Sequence, residues 1–163
     1  MSYFLIQAVL LPIILSPIAY LLGKRFGVKS GWFSFLILAY STILIIISAS
    51  QSSAERPYLE SYPWRPIGEF GLKADGLSIP FAAIIYTLST AISVYSMPYM
   101  KHRIEEEVQH VQEDERQSAF NRKMGLYFML YLLYASGMLG TVLATNLIQF
   151  YIFFELMLIP SFF

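Results

Sequence analysis

The chain has 163 residues, of which 56% are hydrophobic, 17% aromatic and only 13% charged, and its formal net charge is zero. So apolar a composition excludes an ordinary soluble domain of this size and points to a membrane protein, while the absence of a basic excess excludes a nucleic-acid binder. Without cysteine there is no thiolate metal site, iron-sulfur cluster or disulfide, and no cofactor or metal is expected on this chain.

A membrane-crossing helix needs about 20 mostly apolar residues. Five runs are read against that template, at about 3–23, 31–49, 77–99, 124–144 and 147–163, predicting an all-α, polytopic transmembrane helical bundle. The first run lacks a basic start and a small-residue cleavage site, so it is a retained helix rather than a signal peptide. Between the second and third runs, residues 50–75 contain Pro57, Pro63, Pro66, Gly68 and Gly71. That composition favours turns and extended pieces over a long helix and predicts an ordered aqueous loop.

In the third run Tyr86, Ser89, Ser93 and Ser96 recur at three- and four-residue spacing. Such a polar stripe can carry a chain of waters, although serine more often serves close packing and interhelical bonds. Residues 101–123 read KHRIEEEVQHVQEDERQSAFNRK, with Ile104, Val108 and Val111 at helical spacing, predicting a short surface helix. There His102, Glu106 and His110 would share one face, but alternating charge around them marks a solvated helix before a metal site. Both histidines lie outside the predicted spans, so they cannot ligate a haem within the bilayer. In the fourth run Ser136, Gly140 and Ala144 form a small-residue stripe for packing.

Orientation follows from Lys and Arg in the loops. Lys24, Arg25, Lys29, Lys101, Arg103, Arg116, Arg122 and Lys123 fall on one side, against Arg56, Arg65 and Lys73 on the other. The expected arrangement is a multi-pass protein of a cell (inner) membrane, with segments 24–30 and 101–123 cytoplasmic and the N-terminus outside.

The fifth run, LIQFYIFFELMLIPSFF, contains one acid, Glu155. At ~1.5 Å per residue it lies about 12 Å beyond Leu147, near the middle of a hydrocarbon layer about 30 Å thick. An unpaired carboxylate there costs roughly 2.5–3.5 kcal/mol, and intramembrane acids of this kind mark ion or proton pathways unless they merely clamp helices. Glu155 is therefore the candidate proton-translocation site. Tyr151, one turn earlier on the same face, can donate to it, and Pro160 leaves the Leu156 carbonyl without its helical partner, which would open a kink or hydrated gap beside the acid. Tyr86, Ser89 and Ser93 are candidate pathway residues. The run ends at Phe163 without a basic stop, so the chain is expected to continue into something longer.

Three segments carry a resemblance: FGVK after the first run, GEFGLKADGLSIPF leading into the third, and NLIQFYIFFELMLIP in the fifth. They resemble the N-terminal third of the NuoM-type, antiporter-like M subunit of complex I (NADH-quinone oxidoreductase). The resemblance implies a membrane protein of about fourteen helices without a redox centre of its own. It would translocate protons through an intramembrane Glu/Lys/water pathway coupled to quinone reduction elsewhere, with other membrane subunits of a complex I-like assembly as partners. It also implies that Glu155 pairs with a lysine of a later helix. The related alternatives are a component of a Mrp-type cation/proton antiporter or of a membrane-bound hydrogenase, and a structural membrane module with Glu155 as helix clamp. Two departures from the family pattern are Phe154, where tryptophan is frequent, and the long charged segment 101–123.

Overall fold

A computed structural model describes residues 3–52, 56–65 and 68–162. Helix α1 (Phe4–Phe26) and helix α2 (Ser30–Gln51) are joined by one turn of 3-10 helix, Gly27–Lys29. Gly27 makes the reversal possible with a φ of 57°, a conformation that side chains with a Cβ resist. Strands β1 (Tyr58–Trp64) and β2 (Gly68–Ala74) follow, then α3 (Ser78–Glu107), α4 (Glu113–Leu143) and α5 (Leu147–Phe162). The α1-to-α2 run, α3 and α4 are three helical stretches long and apolar enough to cross a membrane, whereas α5, at 16 residues in the described range, is shorter. The architecture is thus mostly helical, as a fragment of a membrane bundle would be. The expectation of five full-length spans holds only in that coarser form: α1 and α2 are two helices set apart by the Gly27 reversal, and the 16 described residues of α5 are fewer than a full crossing needs.

The helices bury one face each and leave large apolar side chains on the outside, among them Leu36, Ile46, Ile84 and Tyr95. That is the surface an apolar solvent requires. The interior holds Leu5, Ala8, Val9, Leu38, Tyr86, Leu132 and Leu139. α1 packs most extensively against α4, and the approach is close because two glycines meet: a Cβ on Gly23 would strike the Gly125 backbone, and one on Gly125 would lie 2.6 Å from the Tyr20 carbonyl.

At the charged end the structure corrects the sequence reading. There is no separate surface helix. α3 continues to Glu107 because Ile104 and Val108 are buried against Phe120, Met124 and Phe128 of α4, so the apolar spacing extends an existing helix. His110 falls in the turn after α3 and leaves the helical face that its spacing to His102 and Glu106 assumed.

At the opposite end the proline- and glycine-rich segment folds into an antiparallel β-hairpin, with Tyr58 opposite Ala74 and Trp64 opposite Gly68. Pro66 lies outside the described residues. The hairpin is bolted to the bundle by Glu60, whose carboxylate is buried yet accepts hydrogen bonds from the Leu5 and Ile6 amides at 3.0 and 2.9 Å and from the hydroxyls of Tyr58 and Tyr62 at 3.0 and 3.3 Å. The first amides of a helix have no partner within it and carry partial positive charge. Glu60 supplies both the acceptor and the opposing charge from a distant strand.

Candidate functional site around Glu155

α5 begins where α4 ends, and the hairpin fixes that junction. Asn146 caps α5: its Oδ1 accepts from the Gln149 amide at 2.8 Å, while its Nδ2 donates to the Glu69 carbonyl at 2.7 Å. The Thr145 amide donates to the Gly71 carbonyl at 3.2 Å, and Leu72 bridges Ala144, so the junction lies along β2 like a short third strand. Gly71 is required there, since a Cβ would collide with the Thr145 hydroxyl. Its own amide donates to Gln149 Oε1 at 3.1 Å.

One turn further along, Phe153 is buried and sits edge-on to Phe70 of the hairpin with centroids 6.1 Å apart. Its ring occupies the space that a side chain at Gly140 would need, and the α5 backbone at Met157 approaches Gly137. Gly137 and Gly140 of α4 are therefore the seat of α5; of the small-residue stripe expected from the sequence, Gly140 belongs to that seat. With Phe153 and Met157 set against α4, Glu155 lies on a different face, midway along α5 and half-buried. Tyr151 shares that face, is exposed, and its hydroxyl interacts with the Glu155 carboxylate. Among the described residues no cation forms an ion pair with Glu155 within 4.0 Å. Chemically, this is a carboxylate with one phenolic neighbour, presented by an apolar helix toward the side of the bundle where α4 is not.

The other candidate residues occupy different places. Pro160 lies within α5, which continues through it to Phe162, and it borders an open cavity of about 580 Å³ lined also by Lys123, Glu107, Tyr127, Tyr131 and Tyr134. The polar stripe of α3 is not beside Glu155 but inside the bundle: Tyr86, Ser89, Ser93 and Ser96 are all buried. The Tyr86 hydroxyl donates to the Ala8 carbonyl at 3.0 Å and the Ser93 hydroxyl to the Thr90 carbonyl at 2.7 Å. Tyr131 donates to the Ser89 carbonyl at 2.6 Å and Tyr127 to Ser96 Oγ at 2.8 Å. The bonds from Tyr86, Tyr131 and Tyr127 tie α3 to α1 and α4, the packing use of such a stripe.

Sequence reasoning passed over Glu60, Asn146 and Gln149. For Asn146 the signal was present, as an N-cap residue three positions before a glutamine at the head of an apolar run. For Glu60 and Gln149 there was none, since their partners are distant in sequence. At the hairpin end two ionisable groups outside the helices are also displaced. Asp75 is held below the usual carboxylate range, first by the Ser78 amide and then by Lys73, and Tyr62 is pushed up to about 12 by burial and by the Glu60 charge.

Known proteins share much of this chain. Residues 64–109 match the family described as NADH-ubiquinone oxidoreductase (complex I), chain 5 N-terminus. The A1 component of a Na⁺/H⁺ antiporter from Staphylococcus haemolyticus is 32% identical over 162 residues, covering 95% of this chain and 17% of the relative. The A component of a Na⁺/H⁺ antiporter from Alkalihalophilus pseudofirmus is 29% identical, covering 91% of this chain and 16% of the relative. The chain thus spans about one sixth of the length of these relatives. A chain in the solved Mrp complex from Dietzia sp. shares the fold with a TM-score of 0.70 at 22% identity, over 97% of this chain and 15% of that one. Neither the family match nor these relatives support the narrower resemblance to the NuoM-type protein. The chain is similar, over nearly its whole length, to antiporter-type membrane proteins of the A and A1 kind.

Proposed function

We propose that this chain is part of an antiporter-like membrane protein that exchanges protons for a cation across the bilayer, in a multi-subunit assembly of the Mrp type, and that Glu155 is its proton-binding group. The observation that carries the reading is the position of Glu155. It stands midway along an apolar helix, in a chain whose relatives are named as Na⁺/H⁺ antiporter components. A carboxylate in such a layer favours its neutral form until a cation approaches, and a departing cation returns it to that form. Moving one charge across the membrane involves ~2.3 kcal/mol per 100 mV, so a site of switchable proton affinity is what exchange requires. Because Glu155 faces away from α4, a basic partner would approach from a later helix of a longer protein, and the hairpin side would face outward.

The test is Glu155→Gln in everted membrane vesicles, read as proton movement on addition of Na⁺. Loss of exchange at unchanged protein abundance is expected. Full exchange in the substituted protein rejects the reading in favour of a helix clamp.

A second reading is favoured by the match of residues 64–109 to complex I chain 5: the same proton chemistry in a complex I-type assembly, coupled to quinone reduction in other subunits. Vesicles energised with NADH instead of a Na⁺ gradient separate the two.

A further inference from the structure

We propose that Gln149 is a positioning residue through which the hairpin sets the depth and rotation of α5, and hence the surroundings of the Glu155 carboxylate; this rests on the proton-binding role proposed for Glu155. Gln149 is only 1% exposed, although an uncharged amide on an apolar helix gains nothing from burial unless both its ends are engaged. One end is: Oε1 accepts the Gly71 amide at 3.1 Å from a strand 78 residues away in sequence. The other end is not, since Nε2 has no hydrogen-bond partner among the described residues. The amide is thus held by its bond to β2, with a longer contact of 3.4 Å from Asn146 Nδ2 to the same oxygen.

The surrounding contacts give that bond leverage. Asn146 bonds Glu69, Thr145 bonds Gly71, and Phe153 rests on Phe70. Three successive anchors therefore join the head of α5 to β2, and Gln149 lies between the cap and the aromatic contact. Glu155 lies six positions after Gln149, about 9 Å along the helix, with no helix-breaking residue between them. A rotation or slide at Gln149 is transmitted rigidly to Glu155 and Tyr151. A small change in the distance of a carboxylate from a phenol or a cation alters its proton affinity.

The experiment reads Glu155 directly. In the membranes where the protein is made, dicyclohexylcarbodiimide labels protonated carboxyls in apolar surroundings, and the label on residue 155, located by fragment ions so that a carboxyl introduced at residue 149 is not counted, is quantified by mass spectrometry across a pH series, with Glu155→Gln as blank. Gln149→Met keeps the volume and removes the bond, Gln149→Glu keeps the acceptor, and Gly71→Ala disturbs the docking from the strand side. We expect Gln149→Met and Gly71→Ala to displace the pH of half-maximal labelling by about one unit, with Gln149→Glu closer to the wild type than Gln149→Met. A mere packing role predicts a wild-type profile for Gln149→Met, and that result overturns the proposal. So does a Gln149→Met protein that fails to accumulate where Gln149→Glu does, because the bond then serves folding. If labelling shifts as expected while Glu155→Gln leaves ion exchange intact, the positioning role stands and the proposed function falls.

Discussion

Glu60 Oε1 lies 3.0 Å from the amide nitrogen of Leu5, across 55 residues of sequence. The bond joins the hairpin to the first turn of α1, so the helix is capped by an element that follows two long apolar helices in the chain. The hairpin is in this sense part of the helical bundle. The same strand pair then holds the α4-to-α5 junction through Gly71 and Glu69, and the head of α1 and the head of α5 are registered against one piece.

Glu60→Ala strands two helix amides in a buried place. Losing a capping acceptor costs roughly 0.5–2 kcal/mol, and leaving buried donors unpaired adds to it, so a total of about 2 kcal/mol or more is expected. Unfolding in mild detergent, followed through Trp64 fluorescence, measures it. Glu60→Gln retains an acceptor oxygen and should lose less. Equal stability of the Ala variant and the wild type would mean that the hairpin does not brace α1.

Tyr62 supplies a pH dependence. Its folded pKa, about 12, is above the ordinary value of 10.0 because burial, then the Glu60 charge, disfavours the phenolate. A folded pKa above the unfolded one means that the folded state holds the proton more tightly. Its stabilising contribution is complete below about pH 10 and is lost as pH rises toward about 12. Hairpin fluorescence should therefore change in that window, and Tyr62→Phe should remove that part of the alkaline sensitivity. A phenolate absorbance midpoint near 10 for Tyr62, by difference from the Phe variant, would contradict this.

Tyr86 distinguishes packing from conduction in the α3 stripe. Its hydroxyl is fully buried and donates to the Ala8 carbonyl, so Tyr86→Phe should cost about 0.5–1.5 kcal/mol of stability and leave Na⁺-dependent proton movement unchanged at matched abundance. A fall in exchange without a fall in stability would assign Tyr86 to an ion route instead.

How much of this was legible beforehand follows from the range of the forces involved. The stretches of crossing length, the polar interruption at residues 50–75 and the isolation of Glu155 are local properties of composition, and a bilayer acts on composition directly. The extension of α3 to Glu107 was not legible. Ile104 and Val108 show the same spacing whether they head a separate helix or prolong one, and only Phe120 and Met124 across the gap decide between them. Nor was the hairpin, since its prolines and glycines suit a loop equally well until β1 finds β2.

By itself, the sequence determined that this chain is built of long apolar helices carrying one acid partway along the last of them, because burying apolar surface and isolating a charge are energies each residue brings with it. Tertiary structure alone decided which way that acid faces, what seats its helix and which strand registers it. Gly140 beneath Phe153, Gly71 against Thr145 and the Gln149 amide bond are contacts between separate segments, and their energies exist only once the chain has brought both partners together.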